Sequence, residues 1–255
     1  MPTEPSNLYR VSRGLLLLAI VCCDSRDFIA AHQSATAPEE AIGRAAANES
    51  KLKAAERDFF YRQEILVQTF GEANSVSMQL HRVSEMTYDG AGNRTEKIIS
   101  YPPSPLSVPL GVLQPDFKSL LGVDQFFLSA EPLASYSIKF ASRQKIDELN
   151  TYVFDLEPLE QKNTPKREKG DHLFKGKVWI DDQDFQIVKL EGKAVTAKDE
   201  SHRFPKFECY RENVESGVWL PTLVYARDVL DLKRVDLPIK IEIKYTGYKR
   251  IKPRK

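Results

Sequence analysis

The chain has 255 residues, of which 29% are charged, and its 37 lysines and arginines nearly balance its 36 aspartates and glutamates. A net charge this close to zero provides no overall field for nucleic acid, and any lipid surface would have to be met through local patches. The length allows one large β domain or two smaller ones that bury about 70–75% of the unfolded surface without disulfides or metal ions.

The N-terminus has the pattern of an export signal. Arg10 and Arg13 precede an apolar stretch over residues 14–23, and small side chains follow at Ala30 and Ala31. The apolar stretch is too short to cross a bilayer. We therefore expect cleavage after Ala31 and export to the periplasm or the cell envelope.

Two cysteines lie at the end of that apolar stretch, where a lipoprotein signal places its acylated cysteine. The preceding residue is Val21 for Cys22 and Cys22 for Cys23, whereas lipoprotein processing prefers Gly or Ala there. We expect cleavage, with lipid anchoring at Cys22 or Cys23 as the alternative. Cleavage would leave Cys209 as the only thiol, and its alternating surroundings predict a buried apolar residue rather than a nucleophile.

The first element after the signal is a helix. Residues 38–57 are rich in Ala, Glu and Lys, with apolar side chains near helical spacing, which predicts an amphipathic helix. It could pack closely on a sheet or form a mobile cover. From residue 60 to residue 100 the apolar period changes to two, and residues 71–74 and 89–93 supply turns. This pattern predicts consecutive antiparallel strands.

An irregular apolar stretch follows. Five prolines between residues 102 and 115 exclude a helix and a central strand. One or two helical turns are predicted over residues 115–121, and a second short turn over residues 130–133. We interpret residues 101–133 as a cover on a sheet face, and both a moving lid and a fixed connection fit the pattern.

Further strands are predicted over residues 136–140, 151–156, 174–194, 205–212, 217–225 and 237–248, for a total of about nine to eleven. The last is the clearest, because Ile239, Ile241 and Ile243 share one face. A sheet of this size, with its strands joined by short turns, must curl or close.

Residues 174–194 have the pattern of a β-hairpin with its turn at residues 181–184. Val178, Ile180, Phe185 and Ile187 fall on one face of the two strands. The alternation predicts that Ile180 pairs with Phe185 and that Val178 pairs with Ile187.

Several strand and turn segments carry a resemblance to a known family. They are Tyr-Val-Phe-Asp-Leu-Glu-Pro at residues 152–158, Phe-Lys-Gly-Lys-Val-Trp-Ile-Asp at 174–181, Asp-Phe-Gln-Ile-Val-Lys at 184–189, Arg-Phe-Pro at 203–205, Gly-Val-Trp-Leu-Pro at 217–221 and Ile-Lys-Tyr-Thr-Gly-Tyr at 243–248. On these segments the chain resembles the outer-membrane lipoprotein-sorting and carrier superfamily with the LolA/LolB-like fold, and in particular an exported branch of it.

The resemblance implies a mainly β (α+β) fold, in which a strongly curved antiparallel sheet, or half-barrel, is covered by an N-terminal helix and a short helical and loop lid. The apolar inner face of such a sheet accepts acyl chains. We expect a signal peptide over residues 1–31, a single β domain over residues 32–248 and a basic tail over residues 249–255. No ligand motif of single residues transfers from the family.

Patterns for catalysis and metal binding are sparse. The four histidines have no second His or Cys at ligand spacing; they are His32, His81, His172 and His202. The three aspartates at residues 181–184 lack the Gly and the distal Glu of a calcium loop, so we expect solvated carboxylates in a turn. We predict no catalytic residue, no metal ion and no cofactor.

The leading hypothesis is an exported, non-enzymatic carrier that binds a lipid or a lipoprotein acyl chain between the curved sheet and its lid. The alternative is an envelope sensor or scaffold that binds a protein partner through an edge strand or the basic tail. The candidate ligand-binding residues are apolar and aromatic positions of the strands and the lid: Tyr61, Ile65, Val67, Leu106, Leu110, Phe117, Leu120, Phe154, Trp179 and Trp219. For the two tryptophans, core packing is favoured over a place in the cavity wall.

Overall fold

A computed structural model describes residues 37–106, 128–159, 173–195, 204–231 and 236–251 of the chain. Within these ranges the chain forms a long helix, α1 (Pro38–Ala55), a short helix, α2 (Ala130–Leu133), and ten strands. The strands are β1 (Phe59–Phe70), β2 (Val76–Tyr88), β3 (Arg94–Ser100), β4 (Tyr136–Ile146), β5 (Leu149–Pro158), β6 (Leu173–Asp181), β7 (Ile187–Val195), β8 (Phe207–Glu215), β9 (Val218–Asp231) and β10 (Asp236–Arg250).

All ten strands belong to one antiparallel sheet with the order β3-β2-β1-β10-β9-β8-β7-β6-β5-β4. The chain starts in the middle of the sheet, runs out to the edge strand β3, crosses to the opposite edge at β4 and returns strand by strand until β10 pairs with β1. The sheet is curved and open, which confirms the predicted half-barrel with an N-terminal helix.

One face of the sheet, which we call the inner face, is covered by α1. Along β1 the buried side chains alternate with half-buried or exposed ones from Phe59 to Thr69. The main apolar cluster joins Ala41 and Ala45 of α1 to buried side chains of β1, β2 and β4–β10. The core therefore lies between the helix and almost the whole width of the sheet.

Helix α1 begins with Pro38 and carries Glu39 and Glu40 in its first turn, where proline and acidic side chains favour a helix start. Its buried apolar side chains are mostly alanines, with Ala41 and Ala45 at most 1% exposed. Because these side chains are short, the helix axis can approach the sheet closely, and the structure shows the packed arrangement. Among the described residues, no helix combines the length and the apolarity needed to cross a membrane.

The β6–β7 hairpin corrects the predicted register. Ile180 pairs with Ile187, and Val178 pairs with Leu190. Phe185 lies in the loop before β7 and has a φ of 59°, in the left-handed region. The register of the two strands also shifts by one residue at Ile187, so the predicted pairs are not formed. The predicted facing is nevertheless right, because Val178, Ile180, Phe185 and Ile187 all lie in the main apolar cluster.

Strand β10 continues to Arg250, two residues into the predicted basic tail. Arg250 lies 3.0 Å from an oxygen of Asp58 and 3.1 Å from an oxygen of Glu215. The predicted turn at residues 130–133 is α2, whereas the predicted turn at residues 115–121 lies outside the described residues.

Replacing Ile241 by Asp should unfold the domain. Ile241 is fully buried in the middle of β10, and burying an aliphatic side chain of this size contributes about 1.5–3 kcal/mol. An unpaired carboxylate at the same position would add a desolvation cost of several kcal/mol. We expect Ile241→Asp to lack a cooperative thermal transition by circular dichroism. Val229→Asp, at an exposed position of β9 (52%), should melt like the unmodified protein. A normal melting temperature for Ile241→Asp would contradict the core that we assign.

Candidate functional site

Buried apolar side chains cover the inner face on every strand but β3, and the largest aromatic rings lie on β5, β6 and β8. Tyr152, Phe154, Phe174 and Phe207 are each at most 2% exposed. The rings of Phe174 and Phe207 meet edge to face with their centroids 5.5 Å apart, and Tyr136 lies 5.8 Å from Phe174. These rings form a continuous apolar surface beneath the helix.

The apolar surface reaches solvent at the edge strand β4. Phe140 is 45% exposed, and its ring lies 5.8 Å from that of Phe154 and 6.3 Å from that of Tyr152. Arg143 stacks over Tyr152 at 4.5 Å and donates a hydrogen bond of 2.8 Å to its hydroxyl. This edge therefore combines an exposed apolar ring with a cation held beside it.

A buried ion pair joins α1 to the sheet. Nη1 and Nη2 of Arg211, on β8, donate to the two carboxylate oxygens of Glu49 at 2.6 and 3.1 Å. The side chains of Arg211 and Glu49 are 0% and 1% exposed. A bidentate arginine–carboxylate pair fixes the rotation and the height of the helix over the strands, because both parallel hydrogen bonds must be kept.

The same carboxylate also holds the chain just before α2. The backbone N–H of Leu128 donates to Oε2 of Glu49 at 3.0 Å, and the Leu128 side chain lies in the main apolar cluster. Glu49 thus connects the helix, the sheet and the segment that leads into α2.

Burial and charge decide the protonation of the groups around this pair. Burial lowers the pKa of Arg211, but the adjacent Glu49 carboxylate outweighs this effect and keeps the pKa above its ordinary value. Burial raises the pKa of the Cys209 thiol to about 12. Cys209 therefore stays a neutral, buried thiol, as its sequence context predicts, and is unsuited to nucleophilic chemistry.

One end of the inner face, where β1 and β3 begin and β2 and β10 end, is polar and aromatic. The ring of Tyr61 lies 6.0 Å from that of Tyr245 and 5.1 Å from that of Tyr248. Tyr61 shares hydrogen bonds with Tyr88 and Arg94. We call this group the tyrosine cluster: Tyr61, Tyr88, Arg94, Tyr245 and Tyr248.

Most hydroxyls of the tyrosine cluster are removed from water. Burial raises the pKa of Tyr61 to about 12 and raises those of Tyr88, Tyr245 and Tyr248 further. The hydroxyl of Tyr248 donates to the carbonyl oxygen of Pro221 at 2.6 Å. At neutral pH all four phenols are hydrogen-bond donors.

The structure brings together some of the predicted ligand-binding residues. Ile65, Val67, Leu106 and Phe154 lie in the main apolar cluster. Tyr61 is also buried but stands among the other tyrosines. Leu110, Phe117 and Leu120 lie outside the described residues.

The two tryptophans lie in a second, smaller cluster with Leu52 and Phe59. Trp179 pairs with Val153, on the face opposite the inner one, and its Nε1 donates to Oε1 of Gln144 at 2.9 Å. The ammonium group of Lys189 covers its ring at 4.8 Å. Trp179 is therefore separated from Phe154 by the thickness of the sheet.

Sequence reasoning missed Glu49 and Arg211. A signal for both was present: Glu49 follows Ala45 by one helical turn, and Arg211 continues the inward positions Phe207 and Cys209 of β8. Opposite charges at inward positions of two elements indicate a buried pair, since isolated buried charges are costly.

Two of the three aspartates at the β6–β7 turn, Asp181 and Asp184, accept hydrogen bonds within it, and Asp181 is buried rather than solvated as expected. Oδ2 of Asp181 accepts hydrogen bonds from the backbone N–H groups of Gln183 and Asp184 at 3.1 and 3.0 Å. Oδ1 of Asp184 accepts from the N–H of Gln186 at 3.2 Å. In the described part of the chain, no three His, Cys, Asp or Glu side chains are grouped so that they could hold a metal ion.

Breaking the buried ion pair from one side should be costly. We expect Arg211→Met to lower the free energy of unfolding by about 3–5 kcal/mol, because it leaves the Glu49 carboxylate buried without its partner. The double variant Glu49→Leu/Arg211→Met should recover most of this loss, since apolar groups of similar size replace both charges. Urea denaturation of Glu49→Leu, Arg211→Met and the double variant measures the coupling free energy between the two side chains. Losses in the single variants that simply add in the double variant would contradict a direct pair.

The tyrosine cluster should ionise late in an alkaline titration. The chain has ten tyrosines, and an unperturbed phenol ionises near pH of about 10. Because the folded pKa values of the four clustered phenols are raised, the folded state keeps protons that the unfolded state has lost. Stability should therefore fall as pH rises from about 10 towards the folded value. Tyrosinate absorbance should rise in two phases in the folded protein and in one phase in denaturant. Tyr61→Phe should reduce the late phase, and a single phase in the folded protein would refute the buried assignment.

No family model and no curated protein sequence matches the chain. Among solved structures, it is similar to a LolA superfamily protein from Nitrosomonas europaea, with 13% identity, coverage of 83% of this chain and 94% of that chain, and a TM-score of 0.37. It is also similar to a DUF1329 family protein from Desulfovibrio piger, with 9% identity, coverage of 86% and 96%, and a TM-score of 0.41. A third structure is an outer membrane lipoprotein-sorting protein domain from Vibrio parahaemolyticus, with 13% identity, coverage of 86% and 95%, and a TM-score of 0.39.

With TM-scores this low, no ligand or partner is transferred from these proteins. The resemblance of the chain to the LolA/LolB-like superfamily rests on its own strand and turn segments. The open, curved antiparallel sheet under an N-terminal helix is the fold that this resemblance implies.

Proposed function

We propose that the protein is an exported, non-enzymatic carrier that binds a lipid or a lipoprotein acyl chain on the inner face of its sheet. The observation that carries this proposal is the extent of the apolar inner face, which takes buried side chains from nine of the ten strands. A surface of this width matches an extended hydrocarbon better than a compact polar substrate. Each methylene group buried there would contribute about 0.8 kcal/mol, and no covalent step is required.

The way in which α1 covers the sheet supports binding beneath it. Ala41 and Ala45 contact the sheet through a single methyl group each, while the bidentate bond from Glu49 to Arg211 sets the position of the helix. Ile42 of α1 packs against the same apolar cluster but is only partly buried. An acyl chain can therefore replace alanine contacts with little loss of apolar burial.

The edge strand β4 provides the entrance in this proposal. Phe140 is half exposed while its ring remains in contact with Phe154, so a hydrocarbon that touches Phe140 from solvent is already beside the buried aromatic surface. The candidate ligand-binding residues of the apolar route are Ile65, Val67, Leu106 and Phe154. Leu110, Phe117 and Leu120 belong to the same proposal as parts of the lid.

A second function is favoured by the opposite edge of the sheet. Ile98 and Ile99 of β3 are 51% and 46% exposed, and Tyr101 directly after the strand is 40% exposed. An edge strand with exposed apolar side chains can accept an extended segment of another protein by strand addition. An envelope sensor or scaffold that binds a protein partner through β3 is therefore the alternative.

Native mass spectrometry separates the two proposals. The protein is purified from a bacterial envelope fraction, and spectra are recorded before and after mild delipidation. A bound, removable mass of a phospholipid or an acylated peptide is the result that the carrier predicts. An apo mass, together with failure to take up a fluorescent fatty acid, would overturn the carrier and favour the protein-binding alternative.

Replacing Phe140 by Ser should weaken binding of a fluorescent fatty acid with little effect on folding. The ring is half exposed, so its loss removes apolar contact at the entrance but leaves the buried cluster intact. We expect Kd to rise by about fivefold to tenfold, which corresponds to about 1–1.4 kcal/mol. Val229→Ser is the matched control, because Val229 is also about half exposed but lies on the opposite face of β9 from the inward-facing Leu230. Equal effects of the two substitutions would exclude the entrance at β4.

A further inference from the structure

The tyrosine cluster contains a buried hydrogen-bond donor that no neighbouring acceptor of the described residues uses. Nε of Arg94 is buried and has no hydrogen-bond partner in the described part of the chain. Tyr61 shares hydrogen bonds with both Arg94 and Tyr88, and its hydroxyl oxygen accepts from the guanidinium, which can only donate. Buried donors without acceptors are rare in folded proteins, and each such group calls for an explanation.

The acceptors near the tyrosine cluster are largely committed. Glu56 shares a hydrogen bond with Tyr88, and Gln63 shares one with Tyr245. Glu96, the next inward residue of β3 after Arg94, accepts from Arg82 at 2.5 Å and from Ser84 at 2.6 Å. The Glu96 carboxylate is therefore already bonded to donors other than Arg94.

The cluster is within reach of solvent. Tyr88 and Arg94 pair with each other across β2 and β3, and both are half-buried at the edge of the sheet. A second cation lies at the adjacent turn, where the side chain of Arg57 lies next to Gly92. Two arginines and several phenols thus border the same end of the inner face.

We propose that this end binds the phosphate of an amphiphile head group, while the acyl chains lie along the apolar rest of the inner face. This inference rests on the proposed carrier function and adds the ligand class and its orientation. A guanidinium offers two parallel N–H bonds to phosphate oxygens, and phenol hydroxyls can complete the set of donors. Arg94 is the main phosphate contact, and Tyr61 and Tyr88 orient it.

The test compares two short-chain lipids and inorganic phosphate by isothermal titration calorimetry. The lipids are dihexanoyl phosphatidylglycerol, which carries a phosphate, and dihexanoylglycerol, which does not. The purified full chain is compared with Arg94→Gln, which removes the charge, and with Arg94→Lys, which keeps it. Arg62→Gln is the control, because Arg62 is an exposed cation that directly follows Tyr61 on β1. Melting temperatures of all variants report on folding.

We expect the unmodified protein to bind the phosphate-bearing lipid at least about tenfold more tightly than the uncharged lipid, as charge-assisted hydrogen bonds imply. Arg94→Gln should abolish this preference while leaving the affinity for dihexanoylglycerol unchanged. Arg94→Lys should keep part of the preference, and Arg62→Gln should keep all of it.

Three results would overturn the inference. Equal affinity of the unmodified protein for the two lipids would remove the head-group site but leave the carrier in place. An equal loss of both affinities in Arg94→Gln would show a general effect on the fold. Binding of inorganic phosphate with no binding of either lipid would assign the cluster to free phosphate and would also refute the carrier.

Discussion

The arrangement of the inner face depends on the ion pair between Glu49 and Arg211. Two charges that are almost completely removed from water are stable only with each other, so any conformation that separates them must either hydrate both or leave each unpaired. Since the same carboxylate accepts a bond from Leu128, the position of the segment before α2 is tied to that of the helix. The alanines of α1 follow from this, because short side chains let Glu49 reach β8.

The inner face has two chemically different parts, and the difference follows the position along the strands. Buried apolar side chains come from every strand but β3, whereas phenols, an amide and guanidinium groups gather where β1 and β3 begin and where β2 and β10 end. A ligand that contacts the whole face must itself have an apolar and a polar end. The proposed carrier would therefore accept amphiphiles rather than uniformly apolar or uniformly polar molecules.

Most of the strands could be predicted from the sequence because one face of each is buried, and burial imposes a period of two on the apolar residues. Ile239, Ile241 and Ile243 of β10 show this directly. The register of the β6–β7 hairpin could not be predicted in the same way, since an extra residue and the left-handed Phe185 break the local period. Glu49 and Arg211 are 162 residues apart, and alternation indicates only that each faces inward. Ile65, Val67 and Phe154 could be predicted to face inward because the apolar residues of a strand have a period, whereas polar pairs such as Glu49 and Arg211 have none.

The pairing of β1 with β10 has a consequence for how the chain folds. The first strand lies in the middle of the sheet, and its neighbour on one side is the last strand, with Phe59 opposite Arg250. The loop that this contact closes contains nearly all of the domain, and closing a loop of this length is slow because the chain loses entropy before the contact forms. The hairpin of β1 and β2 and the meander from β4 to β10 can each form from local contacts. The inner face is complete only after this hairpin and this meander have joined. The surface proposed for an acyl chain is therefore not available until the final strand is in place.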